Sequence, residues 1–143
     1  MAASENTIEI DRPADEVFEY ATNPATFPEW QRDVVKVNIE DREVGSRYTT
    51  VRKIGGSERS MTQEITYNEP PRFWAARGVD RPVRPNATVS VEPLDAGRCR
   101  VTFGLDFDGR GLAAPLAPMV RRMAAKGAPK SHQLLKERLE GRA

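Results

Sequence analysis

The N-terminal segment restricts the fold most, because it combines a short strand, a proline-started helix and a turn that ends in tryptophan. Ile8–Ile10 alternates as a strand does, and Pro13 suits the first turn of a helix, where its missing N–H costs nothing. A residue that precedes proline avoids the helical region, so the Asn23–Pro24 pair ends this helix. A second short turn then leads to Trp30. Few small folds place these elements ahead of a long run of strands.

The middle of the chain predicts six strands that are joined by short turns. Apolar and polar residues alternate along most of these segments, as they do along a half-buried strand. The predicted strands run from Asp33 to Asp41, Arg47 to Lys53, Glu58 to Tyr67, Arg72 to Val79, Ala87 to Leu94 and Arg98 to Asp108. Gly55-Gly56 suits a hairpin turn, and Asp80 to Pro85, which carries two prolines, is predicted as a loop. Such short connections favour an antiparallel meander with one apolar and one polar face.

The C-terminal segment predicts the element that covers the apolar face of this sheet. Leu112 to Glu140 carries apolar residues near helical spacing, among them Met119 and Met123. Pro129 cannot donate to the carbonyl four residues back, so we expect a kink or a break near Ala125 to Ala128. A weakened helix there would act as a mobile gate beside any cavity under the helix.

Length and charge suit a single domain, residues 1–143, with one hydrophobic core. The chain carries 22 Lys and Arg against 21 Asp and Glu, so its overall charge gives no argument for nucleic-acid binding. From Arg110 to Ala143, however, eight basic residues stand against two Glu, a net charge of +6, which leaves −5 for the rest of the chain. This asymmetry favours either a solvated helix face or a docking patch for an anionic partner.

The composition also argues against several classes of site and location. The single cysteine, Cys99, rules out an internal disulfide, and its alternation with Val101 and Phe103 predicts that it packs inward. One His and one Cys are too few for the usual metal ligands, so we expect neither a metal nor a cofactor. No apolar run approaches the roughly 20 residues that span a bilayer. We expect a soluble cytoplasmic protein without a secretion signal and not an integral membrane protein.

Several residues fit the turns and helix ends of one known superfamily. They are Ile8–Ile10 with Pro13, Val17 and Phe18, then Pro24 with Phe27–Trp30, Gly45, Tyr67–Arg72, Gly97, and Leu135, Lys136, Leu139 and Glu140. With them the chain resembles the START/Bet v 1-like superfamily, and more narrowly the polyketide cyclase/dehydrase branch of the SRPBCC proteins. The resemblance implies an α+β helix-grip fold, in which a curved antiparallel sheet of about seven strands wraps around a long C-terminal helix. Two short helices follow the first strand, and members bind lipids, sterols, aromatic polyketides or plant metabolites between sheet and helix.

The predicted site is therefore a hydrophobic cavity between the sheet and the terminal helix. The predicted ligand-binding residues are Trp30, Tyr48, Met61, Gln63, Phe73, Arg77, Phe103, Phe107, Met119 and Met123. Flexible methionines suit adaptable binding, whereas apolar residues on an inward face more often fill a core. The sequence leaves both interpretations open.

The polar members of this set have alternative roles. A buried Gln63 amide needs partners, either a ligand oxygen or a neighbouring side chain or water. Arg77 could hold a carboxylate or enolate oxygen if Phe73 faces inward, and it is a surface charge if Trp74 does. His132 is predicted as an exposed helix residue, since no pattern places it beside a nucleophile.

The sequence thus predicts binding of a small hydrophobic molecule, a lipid, an aromatic compound or a polyketide-like molecule, by a carrier or sensor. One alternative is a cyclase or dehydratase that positions a poly-β-keto chain, with Arg77, Gln63 and Tyr67 polarising carbonyls or moving protons. A second alternative is an interaction module that docks through the basic C-terminal helix. The expected partner is a small hydrophobic ligand and not a nucleic acid. A homodimer stays open, and no catalytic residue is assigned.

Overall fold

The computed structural model describes residues 4–54, 56–80, 83–109 and 130–141. The strands are β1 (Ser4–Ile10), β2 (Val34–Ile39), β3 (Arg47–Ile54), β4 (Ser57–Glu69), β5 (Phe73–Gly78), β6 (Val83–Asp95) and β7 (Arg98–Gly109). The helices are α1 (Ala14–Ala21), a short 3-10 turn (Pro24–Thr26), α2 (Phe27–Trp30) and α3, which is described over 130–140. The predicted α+β helix-grip fold is confirmed.

The seven strands form one antiparallel sheet in the order β1-β7-β6-β5-β4-β3-β2. Strands β2 to β7 follow one another as the predicted meander, because their connections are too short for crossovers. The first strand then pairs along the last, with Ile8 opposite Val101 and Ile10 opposite Cys99. This pairing joins the first strand to the last.

We call the side of the sheet that packs against the helices the inner face and the other side the outer face. Residues that lie directly opposite each other on neighbouring antiparallel strands share a face. Trp74 lies opposite Val89, and Val89 lies opposite Phe103, so these three side chains form one row on the inner face. Cys99 also lies on this face and is fully buried, as predicted.

Helix α1 forms where the sequence supplies a start, an apolar stripe and a stop. Pro13 precedes its first turn, and the Val17 N–H donates to the Pro13 carbonyl at 3.1 Å. Val17 and Ala21, one turn apart, are buried together with Phe18, so the helix carries an apolar stripe at helical spacing. The Thr22 hydroxyl donates to the Phe18 carbonyl at 2.7 Å and satisfies a carbonyl of the last turn.

Helix α3 lies across the sheet at the end of β1. Leu135 and Leu139 have no exposed area. At this end Lys136 Nζ donates to the Glu9 carbonyl at 2.8 Å, and Arg12 Nε donates to the Leu139 carbonyl at 2.9 Å. These polar contacts fix the direction of the helix over the apolar contacts below it.

Strand β6 begins earlier than the sequence predicts, so the expected loop from Asp80 to Pro85 is wrong in its second half. The Val91 N–H donates towards β5, and amides two residues apart on a strand point the same way, so Pro85 also turns its nitrogen towards β5. The pairing of β5 with β6 stops at Asn86, and the missing N–H of Pro85 therefore breaks no bond to β5. The predicted kink near Ala125 to Ala128 lies outside the described residues.

Candidate functional site

The inner face is packed most completely where α1 and α3 meet the end of the sheet. We call this region the filled end. Its residues share an exposure of 0%, and they are Ile10, Val17, Cys99, Val101, Leu135 and Leu139. Burial raises the pKa of the Cys99 thiol to about 11, so this thiol stays protonated and packs as a small apolar group. The filled end is therefore an apolar core.

A second region of the inner face consists of Trp30, Phe103 and His132, and we call it the polar aromatic cluster. The Phe103 and His132 rings are stacked, with centroids 3.8 Å apart and an angle of 12° between the planes. The Trp30 ring centroid lies 5.9 Å from that of Phe103 and 6.4 Å from that of His132. Three elements, α2, β7 and α3, thus place their rings at one point.

Helix α2 holds Trp30 in this cluster. The Thr26 hydroxyl donates to the Tyr20 carbonyl at 2.7 Å and ties the start of α2 to the end of α1. Phe27 meets Trp30 edge to face, with ring centroids 5.7 Å apart. Phe27 and Trp30 are both buried, so the turn that the sequence predicts delivers an aromatic pair into the core.

Two ring nitrogens of the polar aromatic cluster are buried without a hydrogen-bond partner among the described residues. They are Trp30 Nε1 and His132 Nδ1. Trp30 is only 3% exposed, so its N–H is cut off from bulk water. Burial lowers the pKa of His132 to about 4, which keeps the imidazole neutral near pH 7. The cluster therefore offers uncharged hydrogen-bonding groups in an apolar surrounding.

The inner face beyond this cluster is packed unevenly, since Ile65 and Thr50 have no exposed area while other inward residues keep some. We call this region the open end and define it by Met61, Ala87 and Leu105, which face inward and are half-buried. Ala87 lies opposite Leu105, and Ala76 lies opposite Ala87, so this row is built largely of small side chains. At Gly78 the Pro85 ring takes the place of a side chain, because a Cβ there would come within 2.6 Å of a Pro85 ring carbon.

Gln63 lies on the inner face beside the open end and is 7% exposed. The Thr50 hydroxyl contacts Gln63 Oε1 at 3.4 Å, and Thr50 itself has no exposed area. The structure thus supplies the neighbouring side chain that one of the two sequence interpretations requires. Tyr48 lies opposite Gln63, and complete burial raises the pKa of its hydroxyl well above the ordinary value.

The expectation that Phe73 and Arg77 line the inner face is wrong. Strand β5 turns Trp74 inward, and alternation along a strand then sends Phe73 and Arg77 outward. The Phe73 ring packs against that of Tyr67 on the outer face, with centroids 5.8 Å apart. Arg77 is exposed, and its guanidinium lies 3.7 Å from the Glu64 carboxylate. The sequence had left this inversion open, and the large indole takes the buried side because it removes more apolar area from water.

The proposed polar set of Arg77, Gln63 and Tyr67 is not assembled. A register shift in β4 between Ile65 and Tyr67 interrupts the alternation of that strand. Tyr67 therefore lies 54% exposed on the outer face, whereas Gln63 lies on the inner face. Residues on opposite sides of a sheet cannot act on one substrate carbonyl.

The structure brings together part of the predicted ligand-binding set. Trp30 and Phe103 are in contact, and Tyr48, Met61 and Gln63 share the inner face. Phe107 lies on the same side of β7 as Phe103 and is 9% exposed. Met119 and Met123 lie outside the described residues, and so does the wall of the predicted cavity that they would form.

His132 is the residue that sequence reasoning misjudged, because the structure stacks it on Phe103 instead of exposing it. A signal for this position was present. His132 precedes Leu135 by three residues and Leu139 by seven, which places all three on one face of a helix. The apolar face of α3 therefore predicts an inward histidine.

Two surface grooves border α3 and the edge of the sheet. A groove of about 410 Å³ lies between Arg32 and α3, with Lys130, Leu134 and Glu137 in its wall. A second groove, of about 680 Å³, crosses β2 and β3 beside Val37. Within the described ranges no group of three His, Cys, Asp or Glu side chains suits a metal ion. None of the helices described combines the length and apolar composition that a membrane crossing needs.

Comparison with known proteins supports both the fold and the family. A family model described as "Polyketide cyclase / dehydrase and lipid transport" matches residues 1–140. No curated protein gives a significant match to the chain. A START superfamily protein from Mycobacterium smegmatis has a similar structure, with a TM-score of 0.80 and 16% identity over 97% of both chains.

Two aromatase/cyclase structures are also similar. The Zhui aromatase/cyclase from Streptomyces sp. R1128 has a TM-score of 0.75 and 20% identity, over 98% of this chain and 92% of that one. The di-domain ARO/CYC protein BexL from the BE-7585A biosynthetic pathway has a TM-score of 0.79 and 22% identity. The match covers 98% of this chain but 47% of BexL, so the chain spans about half the length of that protein. Identities this low show the fold alone.

Proposed function

The chain belongs to the polyketide cyclase/dehydrase and lipid transport family, and from this premise we propose that it binds a small hydrophobic molecule. The molecule lies against the inner face of the sheet, between the open end and the polar aromatic cluster. The protein acts as a carrier or sensor of this molecule, and we extend the proposal to a cytoplasmic location.

One observation carries the proposal. Met61, Ala87 and Leu105 point towards the interior and are still half-buried, whereas the filled end has no exposure at all. An apolar side chain that faces inward but still contacts water forgoes part of the stabilisation that full burial would give, in proportion to its exposed area. A hydrophobic guest that covers them recovers this free energy.

The cyclase or dehydratase alternative is less well supported by the described residues. It relied on three polar side chains, of which only Gln63 lies on the inner face. Arg77 and Tyr67 point into solvent from the outer face and cannot polarise a carbonyl held on the inner face. Binding without turnover is therefore the function that the geometry favours.

The docking alternative rests on basic residues of which only some are described. Lys136 is engaged by the Glu9 carbonyl and lies 3.7 Å from the Glu140 carboxylate. Lys130 and Arg138 are exposed on α3. Docking to an anionic partner through this helix stays a prediction from the sequence, and loss of binding in moderate salt would be its signature.

A fluorescent apolar probe tests the proposed function directly. N-phenyl-1-naphthylamine, which is uncharged, is titrated into the protein and its emission is followed. We expect a saturable rise in emission with one binding site for each chain. We also expect native mass spectrometry of protein purified from its own host to detect a retained small molecule.

A matched pair of variants locates this binding. Ala87→Leu adds apolar volume to the inner face at the open end, and we expect it to weaken probe binding at least threefold by filling the site. Ser90→Leu adds a similar volume to the same strand on the outer face, opposite Phe73, and should leave binding unchanged. No saturable binding by the wild-type protein, or equal losses in the two variants, would reject the proposed site.

A further inference from the structure

Two buried nitrogens in the polar aromatic cluster lack the partners that folded proteins normally provide. The Trp30 side chain is 3% exposed, and Nε1 finds no acceptor among the described residues. His132 Nδ1 is buried beside it and is also without a partner there. Leaving such a group unpaired lowers the stability of the folded protein by about 1–3 kcal/mol. A bound molecule that supplies the missing hydrogen bond would explain why the group is kept.

Several other buried polar side chains of the protein have partners. The Thr50 hydroxyl reaches Gln63 at 3.4 Å, and the Thr22 hydroxyl reaches the Phe18 carbonyl at 2.7 Å. The packing of the inner face is thus compatible with satisfied polar atoms. Among the described residues, two further buried atoms lack a hydrogen-bond partner, Glu16 Oε2 and Asn68 Oδ1, and they lie on side chains outside the cluster. The cluster is where two such atoms come together, on rings from α2 and α3.

We propose that Trp30 and His132 form a recognition site for a neutral carbonyl or hydroxyl oxygen on the hydrophobic ligand. This inference rests on the proposed function and narrows its ligand from any apolar molecule to an oxygenated one. The apolar body of the ligand covers the open end, while its oxygen takes the hydrogen bonds that the two rings leave unused.

The chemistry of the two rings selects the kind of oxygen. The indole N–H of Trp30 can only donate, so it requires an acceptor. A neutral imidazole has one donor and one acceptor nitrogen, and His132 is neutral because burial disfavours its charged form. A carbonyl can accept from either ring, and a hydroxyl can accept from Trp30 and donate to His132. A carboxylate would be buried without an opposite charge inside the cluster, which disfavours acids.

Three probes of similar size measure this selection. 2-Naphthol offers a hydroxyl, 2-acetonaphthone offers a carbonyl, and 2-methylnaphthalene offers neither. Each displaces N-phenyl-1-naphthylamine from the wild-type protein, and the three dissociation constants are compared. We expect one or both oxygenated probes to bind 3- to 10-fold more tightly than 2-methylnaphthalene, the range that one hydrogen bond provides.

Variants assign the preference to the nitrogens. Trp30→Phe keeps an aromatic ring and removes the N–H, so the preference for oxygenated probes should fall to less than twofold. His132→Phe keeps the stack on Phe103 and should reduce the preference for 2-naphthol. Phe107→Leu is the control, because it removes an inner-face ring outside the cluster that carries no polar atom, and it should weaken all three probes by the same factor. Circular dichroism verifies that each variant is folded. If Trp30→Phe is not folded, the result for His132→Phe decides the test.

The outcomes separate this inference from the function on which it rests. Equal binding of all three probes by the wild-type protein, or an oxygen preference that survives in the folded Trp30→Phe and His132→Phe variants, overturns the recognition site. Neither result would contradict the proposed binding of a hydrophobic molecule. Failure of every probe to bind overturns the proposed function, and the recognition site with it.

Discussion

The two ends of the inner face use the same kinds of residue in different ways. At the filled end, Leu135 and Leu139 close over Ile10 and Val101 without leaving any exposed area. At the open end, Met61 faces the same way and is half-buried. The polar aromatic cluster lies between them and holds two nitrogens that no described residue satisfies.

This difference separates stability from binding along one sheet. Close packing stabilises a fold because each buried methylene adds transfer free energy and dispersion contacts. A binding site needs the opposite, namely surface that is shaped by the protein but left uncovered until a ligand arrives. We therefore expect substitutions at the filled end to change stability and substitutions at the open end to change ligand binding.

The largest effect should come from opening a cavity at the filled end. Leu135→Ala removes a fully buried side chain and should lower the free energy of unfolding by about 2–5 kcal/mol. Met61→Ala at the open end should cost less than half as much, because the side chain is half-buried. Urea denaturation of both variants measures the difference, and equal losses would mean that the two ends are packed alike.

Acid should destabilise the protein through the polar aromatic cluster. The pKa of His132 is lowered from 6.5 to about 4 by burial, so between these values the unfolded chain binds a proton that the folded chain does not. The free energy of unfolding should therefore fall as the pH drops from 6.5 to 4, by up to about 3 kcal/mol. His132→Phe should flatten this part of the profile in denaturation at a series of pH values. Parallel profiles for the wild type and the variant would contradict the assignment.

A smaller effect is expected where Gln63 meets its neighbour. Thr50→Val removes the buried hydroxyl that contacts the Gln63 amide and should cost about 1 kcal/mol. Thr49→Val is the matched control on the next residue of the strand, where a 3.2 Å contact with Thr62 is partly exposed. The control should cost less, and thermal unfolding of the pair compares the two faces of β3. A larger loss for the control would show that the buried contact adds nothing.

The smallest effect should come from the outer face. Arg77→Ala removes an exposed guanidinium that lies 3.7 Å from Glu64, and a surface ion pair of this kind contributes less than about 1 kcal/mol. Stability and the affinity for N-phenyl-1-naphthylamine should both stay near the wild-type values. A tenfold loss of affinity would return Arg77 to the binding site and reverse the assignment of the two faces.

Local patterns were enough to predict most of the architecture. The alternation of Val101 and Phe103 marks one strand face, and Pro13 marks a helix start because its ring fits only the first turn. Such signals act over a few residues and need no knowledge of distant contacts. The early start of β6 at Val83 was not predicted, because Pro85 interrupts a strand only where its missing N–H would have paired. That depends on where the neighbouring strand β5 stops.

The candidate site was predicted less completely for a physical reason of the same kind. Trp30 and Phe103 were expected to line one interior, and they do meet. Whether Phe73 or Trp74 faces inward could not be predicted from β5 alone, because each side of this strand begins with an aromatic residue followed by an alanine. The pairing of β5 with β6 decides which side is buried. The stacking of His132 on Phe103 joins α3 to β7, which no local pattern relates.

The sequence by itself determined the order of elements and the antiparallel sheet, since turn residues and hydrophobic periodicity act locally along the chain. The tertiary structure decided which face each ambiguous strand buries and which polar atoms stay unsatisfied. The contacts that decide these points join residues far apart in sequence. Trp30 and His132 become a candidate binding site only once the fold has excluded water and every other partner among the described residues.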